Sequence, residues 1–243
     1  MRGLQQEVDM ADVDMAKAPP ARPARPRHAA SLVLLRGNTD SPEVLLGRRP
    51  MTARFMPGVY VFPGGALERG DHAVASSLEF EPDVIDRVAR HGGIRRARAL
   101  AWTAIRETWE ETGILVGKEG SFEPRRSNPA TAAFQDAGLV PAPGHLDYIV
   151  RAVTPTHSPI RFDTRFFLGE GEKTGGQLFE TTELEEIGWH SLDHTLKHLK
   201  IMGVTQFVLE EAWRTWRQKP KPEANRTTPV LMRRKGVRII RRE

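Results

Sequence analysis

The sequence predicts an α/β fold, a mixed sheet held between helical layers. Three observations lead there. Short apolar runs bounded by turn residues recur along the chain, as strands do. Residues 97–114 carry helical periodicity just after a glycine-rich bend. A second helical stretch runs from about Thr205 to Gln218 and stops ahead of Pro220 and Pro222. Strands with one central and one late helix suggest an α/β/α sandwich.

In chain order, residues 1–27 are rich in Ala, Pro, Arg and Asp and are expected to form a disordered N-terminal tail. Ser-Leu-Val-Leu-Leu at 31–35 and Glu-Val-Leu-Leu at 43–46 flank the turn residues 37–42, which predicts two antiparallel strands. Residues 60–62 read as a short strand cut by Pro63-Gly64-Gly65. Pro82 starts a short helix that Gly92-Gly93 stops. Residues 117–145 read as loop, being rich in Gly, Pro, Ser and Asn. Strands are expected at 148–153, 165–168 and 186–189, and Ser191 caps a helix reaching His198.

The 243 residues suit one domain with appendages, here 28–218, followed by a basic tail at 219–243. The chain has no cysteine, which excludes disulfides and thiolate-bound zinc. No apolar run approaches the ~18 residues of a membrane span, so no membrane partner is expected. The N-terminus has no apolar segment and carries Asp9, Asp12 and Asp14, and Arg-Arg-Glu at 241–243 is not a peroxisomal address. The expected location is cytoplasmic. Net charge is +5, yet residues 212–243 alone hold eleven Lys/Arg against two Glu. Such a tail suits a nucleic acid or another anionic partner, or else is solvated. Only Trp213 and Trp216 accompany it, so no base-stacking platform is evident and nucleic acid is not the expected partner. A homodimer stays open.

The helix at 97–114 is the chemical centre. Glu107, Glu110 and Glu111 stand at i, i+3 and i+4, on one helix face. Like charges so placed destabilise a helix unless a cation neutralises them. Arg106 supplies one positive charge. A hard divalent cation, Mg²⁺ or Mn²⁺, would supply the rest through carboxylate oxygens. Trp102, Ile105 and Trp109 form the opposite, core-facing stripe, and Gly113 ends the helix. Arg95, Arg96 and Arg98 precede it and suit either phosphate binding or solvation. His157 and His190 lack metal-ligand spacing.

Phe-Pro-Gly-Gly-Ala-Leu-Glu-Arg-Gly-Asp at 62–71 and Arg-Glu-Thr-Trp-Glu-Glu-Thr-Gly-Ile at 106–114 together resemble the two halves of the Nudix box, the signature of the Nudix hydrolases. Gly65 opens it, Asp71 stands for the usual first Glu, Thr108 takes an aliphatic position, and residues 72–96 make an insertion within it. The resemblance implies the Nudix fold and a metal-dependent hydrolase acting on a small-molecule diphosphate. It implies metal ligands at Glu107, Glu110, Glu111 and the Gly64 carbonyl, with Gly65, Asp71, Arg106 and Gly113 structural. A distal glutamate ahead of a Trp-containing strand serves as base in related enzymes. Glu183 is the candidate and Glu186 the next. Residues 45–65 are similar to the motif preceding the box in coenzyme A diphosphatases of this family. Arg49, Arg54 and Gly58 match as substrate-binding positions, whereas Gly47 and Pro50 replace the usual Thr and Ser. Coenzyme A or acyl-coenzyme A is the implied substrate. Two alternatives remain: ADP-ribose, NADH or another nucleoside diphosphate compound, and a non-catalytic nucleotide-binding module.

Overall fold

In chain order the elements are β1 (Arg27–Arg36), β2 (Glu43–Arg48), β3 (Tyr60–Val61), β4 (Gly64–Ala66), α1 (Asp71–Ala75), α2 (Pro82–Ala89) and α3 (Ile94–Thr112). There follow β5 (Ile114–Leu115), β6 (Gly117–Glu119), α4 (Pro129–Asp136), β7 (Leu139–Pro141), β8 (Asp147–Val153) and β9 (Phe162–Glu170). The last are β10 (Gly175–Gly176), β11 (Glu185–Ser191), α5 (Leu192–His198), α6 (Gly203–Gln218), β12 (Pro229–Arg234) and β13 (Val237–Arg242). This computed structural model describes residues 24–53, 56–219, 225–234 and 237–243. The N-terminal stretch read as disordered lies outside them up to residue 23.

The main sheet runs β11-β2-β1-β9-β8-β12-β13, with β3 added to β2 and β4 to β1. It is mixed: β1 with β9 and β8 with β12 are parallel, and the other pairs are antiparallel. Central strands must bury both faces, and β1 shows how its sequence does so. Its Ala30, Leu32 and Leu34 enter one core with Trp102, Ile105 and the other apolar residues of α3. Its Val33 and Leu35 enter a second core with Phe207, Val208 and Leu209 of α6. The period-two alternation thus makes one strand the floor of two cores. Each large side chain so buried contributes about 1.5–3 kcal/mol. The result is the expected α/β/α arrangement of a mixed sheet between helices.

Two parts of the chain depart from the sequence reading. Residues 117–145 were expected to be loop but hold β6, α4 and β7. The Asn128 side chain caps α4, accepting from the Thr131 amide, while the Thr131 hydroxyl accepts from the Asn128 amide. Pro129 fills the first helical position, and Ala130 and Phe134 are fully buried. The polar composition hid a helix start.

The second departure is the basic tail. Of residues 219–243, those in β12 and β13 are part of the domain: β12 pairs in parallel with β8, and β13 forms the sheet edge. A buried ionic cluster fastens them. Glu243 accepts from the Tyr148 hydroxyl at 2.8 Å and from Arg151 at 3.0 Å, and pairs with His91 at 2.7 Å. Arg151 forks onto Asp163 at 2.7 and 3.0 Å, and Arg165 reaches the same carboxylate at 2.9 Å. Beside it, Arg87 and Arg226 both pair with Asp147. Charge count alone suggested a solvated tail because it says nothing of these partners. The boundary at 27 moves likewise, since Arg27 begins β1 opposite Phe162.

Candidate functional site

The site forms where β4 crosses the last two turns of α3. The Pro63-Gly64-Gly65 bend is fixed from below: the buried Ser31 hydroxyl donates to the Pro63 carbonyl at 2.8 Å, and the Leu32 amide to the same oxygen at 3.0 Å. Gly64 takes φ +159°, and a Cβ on it would meet the Ala30 carbonyl and Ser31 at 2.6 Å. Only glycine lets this backbone lie so close to β1. Its amide donates to Glu111 Oε2 at 2.8 Å. A Cβ on Gly65 would fall 2.4–2.5 Å from the Glu107 carboxyl group. Two glutamates of α3 thus press on two consecutive glycines of the bend.

Arg106 and Asp71 hold that geometry. The Arg106 guanidinium donates to both Asp71 oxygens, at 2.8 and 3.0 Å, a bidentate pair almost wholly out of water. Asp71 also accepts from the Thr103 hydroxyl at 2.9 Å and the Glu68 amide at 2.8 Å. The remaining Arg106 nitrogen reaches Glu110 at 2.7 Å and Glu107 at 2.9 Å. Asp71, the residue standing for the usual glutamate, is thus joined directly to Arg106. The insertion of 72–96 folds into α1, α2 and the start of α3 and leaves Asp71 beside Arg106. Arg95, Arg96 and Arg98 lie at the start of α3, outside the cavity at the site, and Arg98 stacks on Phe80 at 5.3 Å. Thr103 was missed, because nothing in its spacing distinguishes it from other helical threonines; its hydroxyl oxygen also lies 2.8 Å from the Ala99 carbonyl, so its one proton is shared between two acceptors.

Arg106 faces three carboxylates here, with Glu111 and Arg49 beyond, and the protonation of the three glutamates reflects the crowding. Burial pushes the Glu107 carboxyl up to about 7 against the pull of Arg106, and Glu110 adds to the rise. Burial likewise holds Glu111 well above the usual carboxylate range. The Gly64 amide and Arg49 oppose this, while Glu107 and Glu183 reinforce it. Glu110 is raised by burial too, though Arg106 restrains it. Among the described residues no three Asp, Glu or His side chains form a ready-made metal cage. Glu110 turns to Arg106, leaving Glu107 and Glu111 at the bend. Two carboxylates still fit a hard divalent cation. Mg²⁺ binds through one or two carboxylates and completes its shell with water and substrate phosphate oxygens. A crowded carboxylate pair whose burial resists ionisation is what an added dication would relieve.

Gly113 has two reasons to be glycine. It closes α3 with φ +80°, and a Cβ there would lie 2.1 Å from the Gln177 carbonyl and 2.5 Å from the Phe179 ring. The Phe179 amide donates to the Thr112 carbonyl at 3.2 Å. This docks the loop carrying Glu183 against the end of α3. Glu183 itself is exposed, near enough for its charge to act on Glu111. Glu186, the other candidate base, is engaged elsewhere, accepting from Arg48 at 2.7 Å and from the Tyr60 hydroxyl at 2.5 Å.

On the other side, the Gly58 amide donates to the Arg49 carbonyl at 2.9 Å, and Gly58 takes φ +70°. Its part is to fold the loop back and set Arg49, which lines the same cavity as Glu111 and Gly64. Arg54 lies outside the described residues. Gly47, where threonine was expected, has no room for a side chain: a Cβ would meet Leu184 at 2.9 Å and Ile187 at 3.1 Å. The cavity at the bend measures about 430 Å³, within the roughly 300–1,000 Å³ of small-molecule sites.

No family-wide sequence model matches the chain. It is 29% identical over 175 residues to Nudix hydrolase 7 of Caenorhabditis elegans, covering 67% of this chain and 50% of that protein. It is 28% identical over 184 residues to the human acyl-coenzyme A diphosphatase NUDT19, covering 60% and 46% respectively. The chain therefore spans about half the length of these curated relatives. A crystal structure of a Nudix hydrolase from Alicyclobacillus acidocaldarius superposes with TM-score 0.59 at 32% identity, covering 79% of this chain and 92% of that one. With that identity across nearly the whole of a solved relative, and with Gly65, Arg106, Glu107, Glu111 and Gly113 in mutual contact or docked together, the chain belongs to the Nudix hydrolase family.

Proposed function

We propose that the protein is a divalent-metal-dependent diphosphatase whose first-choice substrate is coenzyme A or acyl-coenzyme A. The observation that carries this is the pair Glu107 and Glu111 pressed on Gly64-Gly65, with surplus negative charge beside a cavity that Arg49 also lines. When bound there, Mg²⁺ or Mn²⁺ would polarise the phosphoryl oxygens and lower the pKa of an attacking water. Glu107, Glu111 and the Gly64 carbonyl would hold the ion, with Glu110 assisting from its place on Arg106. Arg106 and Asp71 keep the carboxylates in position. Arg49 and Arg54 steady substrate phosphates by forked hydrogen bonds. Glu183 takes the proton of the attacking water, from an exposed position whose charge acts on Glu111.

The coenzyme A assignment draws on the motif at 45–65 and on the likeness to NUDT19. The Gly47 departure follows from packing under Leu184 and does not weigh against that substrate. Pro50 in place of serine favours a second reading, the same chemistry on ADP-ribose, NADH or another nucleoside diphosphate compound.

Incubation with Mg²⁺ and a panel of coenzyme A, ADP-ribose, NADH and diadenosine compounds separates the readings. Release of 3′,5′-ADP and phosphopantetheine is the expected result. AMP from ADP-ribose with coenzyme A untouched selects the second reading. No turnover of any member, with nucleotide still bound, leaves a non-catalytic module. Glu111→Gln should lower turnover by roughly three orders of magnitude with the fold retained, the scale seen when a preorganised electrostatic partner is lost.

A further inference from the structure

Just past the loop that carries Glu183, β11 departs from regular pairing with β2. Two steps along β2, from Arg48 to Leu46, match three along β11, from Glu185 to Gly188, so β11 holds a bulge. Glu186 sits in that bulge with φ +48°, a left-handed backbone that favours glycine. A glutamate persists there only where its surroundings fix it. Three adjacent strands supply them. Arg48 of β2 is the register partner of Glu185 on one side and of Tyr60 of β3 on the other. The Glu186 carboxylate accepts from Arg48 at 2.7 Å and from the Tyr60 hydroxyl at 2.5 Å. His190 packs edge-on to the Tyr60 ring at 5.4 Å and hydrogen-bonds the Glu186 backbone. On the loop side, the Glu186 amide donates to Glu180 at 3.1 Å, which closes the chain on itself between those residues. Within the closed loop the Glu183 and Leu184 amides donate to the Thr181 hydroxyl oxygen at 3.2 and 3.1 Å. Leu184 is buried against Gly47, and Glu183 remains exposed.

Resting on the reading of Glu183 as the base of a diphosphatase, we propose that Glu186 is a positioning residue: clamped by Arg48 and Tyr60, it fixes the bulge that presents Glu183 to the site. The clamp acts on geometry rather than on stability. The Glu186 side chain is exposed, and an exposed ion pair contributes little to folding. A base, by contrast, loses rate steeply when its position loosens. Gly47 gains a part in the same device. A side chain there would push on Leu184, the buried neighbour of Glu183, and shift the turn. The glutamate that the sequence offered as a second base thus serves the first.

Steady-state kinetics on the full chain, with Mg²⁺ and whichever of coenzyme A and ADP-ribose it cleaves, compare four proteins. They are wild type, Glu183→Gln, the clamp variant Arg48→Met with Tyr60→Phe, and the two combined. Glu183→Gln should lower kcat roughly 100-fold, the lower end for a general base. The clamp variant should lower kcat roughly tenfold, with KM and melting temperature nearly unchanged. In the Glu183→Gln background the same clamp change should cost less than about twofold, since residues that act as one unit are not additive. Additive losses, or wild-type kcat in either Glu183→Gln or the clamp variant, overturn the proposal while the diphosphatase reading stands. A kcat loss that tracks a large fall in melting temperature assigns the cluster to folding and overturns it too. A second measurement needs no turnover. Hydrogen exchange at the Glu183 and Leu184 amides should run roughly tenfold faster in the clamp variant. Unchanged exchange overturns the clamp whatever the kinetics. Faster exchange in a protein that cleaves neither substrate leaves the clamp on the loop standing and removes the diphosphatase reading.

Discussion

Two buried ionic regions lie on this one fold, and they are built to opposite ends. Around Asp163, Arg151 and Arg165 meet that carboxylate and Glu243, and Arg87 and Arg226 meet Asp147. Cations there match or outnumber the anions. Burial alone would push the Asp163 carboxyl up, but its hydrogen bonds to Arg151 and Arg165 hold it below the ordinary value. At the bend the balance reverses. Arg106 faces Asp71, Glu107 and Glu110, with Glu111 one turn on, and Glu107 is pushed up to about 7. Burial is common to both regions; the surplus of like charge is not. The balanced region fastens β12 and β13 to the sheet, and the unbalanced one reaches the cavity at the bend through Glu111. Charge left uncompensated by the chain is what the proposed ion would meet.

The contrast can be broken first at Gly65. Gly65→Ala should cut kcat by roughly 10²-fold, the scale of an ångström-sized misplacement, because its Cβ would invade the Glu107 carboxyl group. Steady-state kinetics beside a melting curve checks it; a protein that melts much lower would show that Gly65 serves folding instead. Asp163→Asn should do the reverse. Leaving Arg151 and Arg165 short of their partner should cost about 3 kcal/mol in urea denaturation, with kcat changed less than twofold. The Asp163 contribution is present above its unfolded value of 3.8 and is lost as pH falls through the lower folded one.

The smallest effect sharpens the comparison most. In the folded protein Glu107 holds its proton up to about 7, against an ordinary 4.5. Folding therefore takes up a proton between those values, and stability falls as pH rises through them. A bound dication removes that loss. Mg²⁺ or Mn²⁺ should raise the melting temperature by about 2–4 °C above pH 7, the shift expected per kcal/mol for a chain of this size, and by little near pH 4. A shift independent of pH would contradict the charge-surplus account.

Much of this was legible in the sequence because local rules set it. The spacing of Glu107, Glu110 and Glu111, the stop at Gly113 and the Ser191 cap depend on residues a few positions apart, and the structure places them accordingly. Asp71 was readable as a box position because a family pattern named it, though the 34 residues before Arg106 gave no local clue to their contact. What stayed hidden depends on distant partners. Glu110 turns to Arg106 rather than to the bend, Gly47 yields to Leu184 from 137 positions away, and the basic stretch at 229–242 joins the sheet through Tyr148, Arg151 and Glu243. Composition measured its charge but not its counter-charges. No helix among the described residues is long and apolar enough to cross a membrane.

The most direct measurement is a Mn²⁺ titration followed by electron paramagnetic resonance at pH 8, on wild type and on a Glu107→Gln, Glu111→Gln double variant. The account predicts saturable binding by wild type and its loss in the variant, with far-ultraviolet circular dichroism unchanged. Equal Mn²⁺ binding by both proteins would contradict it.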